Sequence, residues 1–179
     1  MAEIKNISGH TPAFNESLFF DNNVWVYLFC PFANYQKDKQ RAYSNFLKTA
    51  QQKQCAIYIN SLVLSEFCNY WLQTEFKNWK RNNPGTKDYK KDFIPTPEFQ
   101  RAVEDVKNAL SRILQIAVKN NDDFNAVDFE NVMNELGNCD FNDSYYIELA
   151  RMKNWKIVTD DADFFKDNLL DVEIITANI

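Results

Sequence analysis

A chain of 179 residues, 45% hydrophobic and 15% aromatic, is long enough for one domain with a full core and too apolar for general disorder. Its net charge of −5 argues against passive coating of nucleic acid unless the positive charge is clustered. Three glycines, at 9, 85 and 137, leave no glycine-rich phosphate loop or dinucleotide fingerprint, and no apolar run of about 18 residues or secretory leader is visible.

Residues 1–15 are polar, with Gly9, Pro12 and the chain's single histidine, His10; they read as a loosely packed arm preceding one domain over 16–179. Ser17 to Phe20 suits a short strand buried on both faces. It ends on Asp21, and the spacing of Val24, Trp25, Leu28 and Phe29 predicts a helix starting at once. Asp21 is thereby placed at the carboxyl end of a strand, where open α/β sheets bind their ligands.

Residues 38–53 predict an amphipathic helix with Tyr43, Phe46, Leu47 and Ala50 on one face. A strand over Cys55 to Ile59 follows. Asn60 or Ser61 then caps a helix bearing Leu64, Phe67, Cys68, Trp71 and Leu72, with Glu66 in its second turn. Phe67 and Trp71 suit a core or a dimer face.

Lys77 to Lys91 reads as a loop or helix-end excursion holding six basic residues: Lys77, Lys80, Arg81, Lys87, Lys90 and Lys91. Trp79 and Tyr89 are interleaved, and cations with aromatics can track a single nucleic-acid strand by phosphate contact and stacking. A merely solubilising face is the alternative. A long helix is expected over about 97–119, an Asn/Asp-rich connection with at most a minimal strand over 120–126, and a short helix over 127–136. The four cysteines are widely spaced without a CxxC pair and suit small buried side chains of a reducing compartment.

The densest chemistry lies between Phe141 and Phe164. Asp140 is a plausible N-cap, placing Asp143 in the first turn of a helix, where the dipole favours its ionised form. A strand over Lys156 to Thr159 leads into Asp160, Asp161 and Asp163, and a last strand covers Val172 to Thr176. Alternating short strands and helices argue for a mainly parallel sheet between helical layers, a three-layer α/β/α fold. Two unit charges about 4 Å apart repel by roughly 4 kcal/mol at an effective dielectric near 20. Acids gathered at strand ends therefore call for a cation, and Mg²⁺ and Mn²⁺ are the ions that prefer oxygen ligands. The bland reading is that these acids only cap helices and decorate turns.

Four segments carry a resemblance. Leu18–Val24 (LFFDNNV), Leu64–Phe67 (LSEF), Asn142–Ala150 (NDSYYIELA) and Val158–Phe164 (VTDDADF) resemble, in order and spacing, the motifs of PIN-domain nucleases, a family that includes the toxin ribonucleases of bacterial toxin–antitoxin pairs. Asn22 departs from the Thr or Ser common after the first Asp. The resemblance implies a metal-dependent endoribonuclease acting on RNA, often single-stranded, in the cytoplasm. Asp21, Glu66, Asp143 and Asp161 would be catalytic and hold Mg²⁺ or Mn²⁺. Asn23, Thr159, Asp163 and Asp140 would support them. The basic residues above are candidate RNA contacts, and a protein antitoxin or a second copy of the chain are candidate partners. A catalytically inactive PIN-like module binding RNA or protein is the alternative.

Overall fold

The computed structural model describes residues 3–32, 36–85, 88–166 and 171–179. Its strands are β1 (Glu3–Asn6), β2 (Ser17–Phe20), β3 (Ala56–Ile59), β4 (Val118–Lys119), β5 (Lys156–Val158) and β6 (Glu173–Thr176). They form one six-stranded sheet in the order β1-β6-β5-β2-β3-β4, every pairing parallel. The helices are α1 (Asn22–Phe29), α2 (Lys37–Gln52), α3 (Ser61–Asn82), α4 (Pro97–Ile116), α5 (Phe129–Glu135) and α6 (Phe141–Lys153). This is the α/β architecture expected from the alternation of strands and helices.

β2 lies near the middle of the sheet because its three apolar residues can be buried on both faces: Leu18, Phe19 and Phe20 are essentially inaccessible. Phe19 stacks on Trp155 at 5.9 Å, and Trp155 stacks in turn on Tyr58 of β3 at 4.4 Å. α6 is sealed on every side, with Ser144 through Ala150 all buried. Its one charged residue in that run, Glu148, is answered by Arg151 through two bonds of 2.8 and 2.7 Å and by Asn131 at 3.2 Å. Phe67 and Trp71 of α3 belong to the core.

Three expectations are corrected. Residues 3–6, read as part of a loose arm, are an edge strand paired with β6. The strand lacks a continuous apolar run because edge strands are commonly charged, and Lys5 sits between Glu3 at 3.4 Å and Glu173 at 3.0 Å. The helix expected to reach residue 119 stops at Ile116; Ala117 turns extended, and the minimal strand lies at Val118–Lys119 rather than in 120–126. The excursion expected between 77 and 91 is mostly helical: α3 runs on to Asn82, and a π-helical turn covers Tyr89–Phe93.

The strand order reverses between β2 and β5, so a crevice opens at their carboxyl ends, where ligands of open α/β sheets bind. α3 leaves β3 at this edge. α6 precedes β5, runs back along the sheet, and so brings its own amino terminus to the same edge.

Candidate active site

Asp21 ends β2 and caps α1. Its Oδ1 accepts from the Asn22 backbone N–H at 2.6 Å, and its Oδ2 accepts from Asn23 Nδ2 at 2.5 Å and from the Thr159 hydroxyl at 2.7 Å. Thr159 follows β5, and its oxygen also accepts from the Asp161 backbone N–H at 3.0 Å. Asn23 Oδ1 accepts from the Asp160 N–H at 3.0 Å, so one short asparagine joins the ends of both central strands. These contacts explain why a short polar residue stands at each of positions 23 and 159; the bond from position 22 is a backbone one and leaves its side chain unexplained.

Glu66, in the second turn of α3, is half-buried with both oxygens occupied. Asn142 Nδ2 donates to Oε1 and the Tyr146 hydroxyl to Oε2, each at 2.7 Å. Burial first, and the nearby Glu66 charge second, hold Tyr146 far above the usual phenol range, so it stays a donor. Asn142 and Tyr146 are one helical turn apart on α6 and face the same partner. Neither was among the candidate residues, although this i, i+4 spacing inside the third motif is the signal that could have found them.

Asp143 lies in the first turn of α6, its N–H bonded to Asp140 Oδ1 at 3.0 Å. Asp140 caps the helix as expected. Asp161 caps the turn Ala162–Phe165 through the Asp163 N–H at 2.9 Å, and Asp163 itself points to Lys166 at 3.2 Å. Asp160 is set apart from the other acids: Lys39 at 2.6 Å and the hydroxyls of Tyr27 at 2.8 Å and Tyr43 at 3.1 Å compensate it.

The structure brings Asp21, Glu66, Asp143 and Asp161 to one place, and their electrostatics register it. Burial pushes the Asp21 carboxyl up to about 7, with the charges of Glu66 and Asp161 adding to the rise. Burial pushes Asp143 up to about 9, with Asp21, Asp140, Asp161 and Glu66 each contributing. Among the described residues no group of three Asp, Glu, His or Cys side chains stands ready-made as a metal cluster. In kind, the donors suit an ion that binds oxygen only.

The basic residues are less uniform than the sequence suggests. Lys77, Lys80 and Arg81 are exposed on the last turns of α3, and Lys90 and Lys91 on the π-helical turn capped by Asp88. Lys87 lies outside the described residues. At 3.6 residues and 5.4 Å per turn, Lys77 follows Glu66 on nearly the same helix face, about 16 Å along the axis. Trp79 and Tyr89, by contrast, do not stand free for stacking. They pack with Phe76, Phe93 and Phe99 into a separate aromatic cluster, Trp79 at 5.3 Å from Phe93 and Tyr89 at 5.3 Å from Phe76. Lys80 lies over the Phe76 ring of that cluster, 5.4 Å from its centre.

The model of the PIN domain family matches residues 18–167, which includes all four acids. The chain belongs to the PIN-domain family. Among solved structures, this PIN domain is similar to VapBC2 from Rickettsia felis, described as bound to a DNA fragment from their promoter. That match has a TM-score of 0.53 and 18% identity, and covers 88% of this chain and 98% of that one. PAE2754 from Pyrobaculum aerophilum matches over 90% of this chain and 93% of its own, at 16% identity and a TM-score of 0.43. Comparison with curated proteins gives no significant match. Among the described residues of this PIN domain, no helix is long and apolar enough to cross a membrane.

Proposed function

We propose that this PIN domain is a metal-dependent endoribonuclease hydrolysing RNA phosphodiester bonds. PIN domains are in general nucleases, and the observation that carries the reading is the meeting of Asp21, Glu66, Asp143 and Asp161 at the carboxyl edge of the sheet, with Asp21 and Asp143 both raised by burial and by the other acids. Structural caps have no need to face one another in this way. Asp21, Asp143 and Asp161 would hold Mg²⁺ or Mn²⁺, directly or through water. When bound, such an ion neutralises charge on the phosphate and makes water acidic enough to attack near neutral pH.

The chain's own groups divide the remaining work. Asn142 and Tyr146 fix Glu66 so that it can accept a proton from water or orient it. Thr159, Asn23 and the Asn22 N–H fix Asp21, so no rearrangement is required of it during the reaction. Lys77, Lys80 and Arg81 would carry the phosphates of a single strand away from the acids, along the face of α3 that also bears Glu66. The likeness to VapBC2 motivates the narrower proposal that the chain acts as a toxin held by a protein antitoxin.

The experiment is incubation of single-stranded and structured RNA with the protein and Mn²⁺, against Asp21→Asn and Asp143→Asn and against EDTA. Cleavage by the unaltered protein alone, dependent on Mn²⁺, supports the reading. Cleavage that survives both substitutions overturns the site, and no cleavage under any condition leaves the inactive binding module.

A further inference from the structure

Between Thr159 and Asp161 the chain places a further acid, Asp160, whose side chain is only 8% exposed. Its partners lie on α1 and α2 rather than among the other acids. Lys39 Nζ donates to Oδ2 at 2.6 Å, the Tyr27 hydroxyl lies 2.8 Å from the same oxygen, and the Tyr43 hydroxyl lies 3.1 Å from Oδ1. The two phenol rings stack at 5.6 Å, so the hydroxyls are themselves held in place.

The backbone of Asp160 is held as firmly. Its N–H donates to Asn23 Oδ1 at 3.0 Å, and its carbonyl accepts from Asn178 Nδ2 at 3.1 Å. Lys39 reaches Asn178 as well, at 3.2 Å from Oδ1. The Tyr43 hydroxyl also lies 2.9 Å from the Thr159 carbonyl and accepts from the Ala177 N–H at 3.1 Å. α1, α2 and the segment after β6 thus converge on one residue that carries none of the chemistry proposed above.

A turn that only decorates the surface has no use for such a set. A carboxylate this buried persists as an anion only with a cation and donors around it, and removing one partner strands the other charge. The bonds therefore resist rotation of the 159–161 backbone. That backbone presents two groups on which the site depends: the Thr159 hydroxyl, bonded to Asp21 Oδ2 at 2.7 Å, and the Asp161 side chain. A carboxylate held in a fixed direction loses less freedom on binding an ion than one free to turn.

We propose that Lys39 and Asp160 are positioning residues of the acid site, their ion pair locking the Thr159–Asp161 backbone and thereby setting the affinity for a divalent cation. Both act through Thr159 and Asp161, and neither is itself a ligand. The proposal rests on the reading that Asp21, Asp143 and Asp161 hold Mg²⁺ or Mn²⁺.

The test measures Mn²⁺ binding to the full chain by titration calorimetry, beside urea unfolding in EDTA. Lys39→Met keeps the aliphatic stem without the charge, and Asp160→Asn keeps the size without the charge. Each is expected to weaken Mn²⁺ binding about tenfold or more. The double variant should bind no more weakly than the weaker single variant, because both remove the same latch. Lys39→Arg should recover part of the affinity by restoring the cation. An ion pair that serves only the fold predicts easier unfolding with an unchanged Mn²⁺ dissociation constant, and that result overturns the proposal. So does a double variant whose two losses simply add, or a Lys39→Arg protein that binds no better than Lys39→Met. Where Lys39→Met or Asp160→Asn fails to fold, Tyr27→Phe decides, since it removes one hydroxyl and no charge. Binding weakened several-fold supports the latch, and unchanged binding overturns it. An unaltered chain that binds no Mn²⁺ refutes the metal site, and the proposal falls with it. An unaltered chain that binds Mn²⁺, loses affinity in these variants and never cleaves RNA refutes only the function proposed above.

Discussion

The Thr159 hydroxyl donates to Asp21 Oδ2 at 2.7 Å while its oxygen accepts from the Asp161 N–H at 3.0 Å. One buried hydroxyl therefore ties together two of the four acids, from opposite ends of the sequence, across the crevice between β2 and β5. Thr159→Val keeps the branched shape and removes both bonds, together with the one the oxygen accepts from Asn23 Nδ2 at 3.0 Å. Because the Asp161 N–H and an Asp21 oxygen then lose a partner, the expected cost is about 1–3 kcal/mol in denaturant unfolding. Asp21 loses a bond that favours its charged form, so the pH at which activity rises should move upward. A variant as stable as wild type with an unmoved pH profile would remove Thr159 from the site.

The raised carboxyls make a pH prediction of definite sign. In the unfolded chain an Asp releases its proton near about pH 3.9, whereas in the fold Asp21 holds it to about 7 and Asp143 to about 9. Between these limits the folded state binds more protons, so stability falls as pH rises. Asp123 acts oppositely, its carboxyl held low first by the Lys153 hydrogen bond, but its stabilising effect is lost only as pH falls below about 4. In EDTA, the melting temperature should therefore decline from about pH 5 through about pH 9. Excess Mn²⁺ should flatten the decline, since a bound cation compensates the charge. A melting temperature in EDTA that is flat over this range would show that the acids are not coupled.

The sheet was legible in the sequence because its central strands are short apolar runs that end on polar residues: Phe20 before Asp21, Ile59 before Asn60, Val158 before Thr159. Asp21, Asp143 and Asp161 stood out for the same reason, each where a strand stops or a helix starts, whereas Glu66, in the second turn of α3, stood out only through the motif around it. What was not legible depends on contacts distant in sequence. β1 is an edge strand whose Lys5 finds its cross-strand partner in Glu173 of β6. Trp79 and Tyr89 looked like stacking rings because their neighbours are cationic, yet Phe76 and Phe93 bury one side of each. Asn142 and Tyr146 gain meaning only once Glu66 of α3 lies opposite them.

Lys77, Lys80 and Arg81 should contribute to RNA affinity by neutralising phosphates and little to turnover. Their replacement by alanine together is expected to weaken binding and lower the salt slope by about 0.7 for each phosphate left without its cation. Lys80→Ala also exposes one face of Phe76, so a small loss of stability is expected from that residue alone. Filter binding across a range of salt concentrations decides the point. An unchanged slope in the triple variant would place the RNA elsewhere.

Asp143→Asn separates the catalytic reading from the structural one most sharply. The Asp143 N–H is capped by Asp140, so the cap survives the substitution, and the amide is nearly the size of the carboxyl. What disappears is a charge that burial and four neighbouring acids all disfavour. The metal-free protein should therefore become more stable than wild type, and most visibly above about pH 7, where the wild-type carboxyls are forced to ionise. RNA cleavage should fall by at least about 10²–10³-fold, as when a group that stabilises transition-state charge is removed. Stabilisation by Mn²⁺ should shrink with it, since a ligand has gone. A residue that only supports the helix predicts the opposite on every count: no gain in metal-free stability, cleavage within a few-fold of wild type, and an unchanged response to Mn²⁺. Thermal melts at about pH 8 with EDTA and with Mn²⁺, run beside a cleavage assay, give both signs from one pair of proteins. If Asp143→Asn cleaves RNA like the unaltered chain, the acid cluster at the mouth of β2 and β5 is not the site of the reaction.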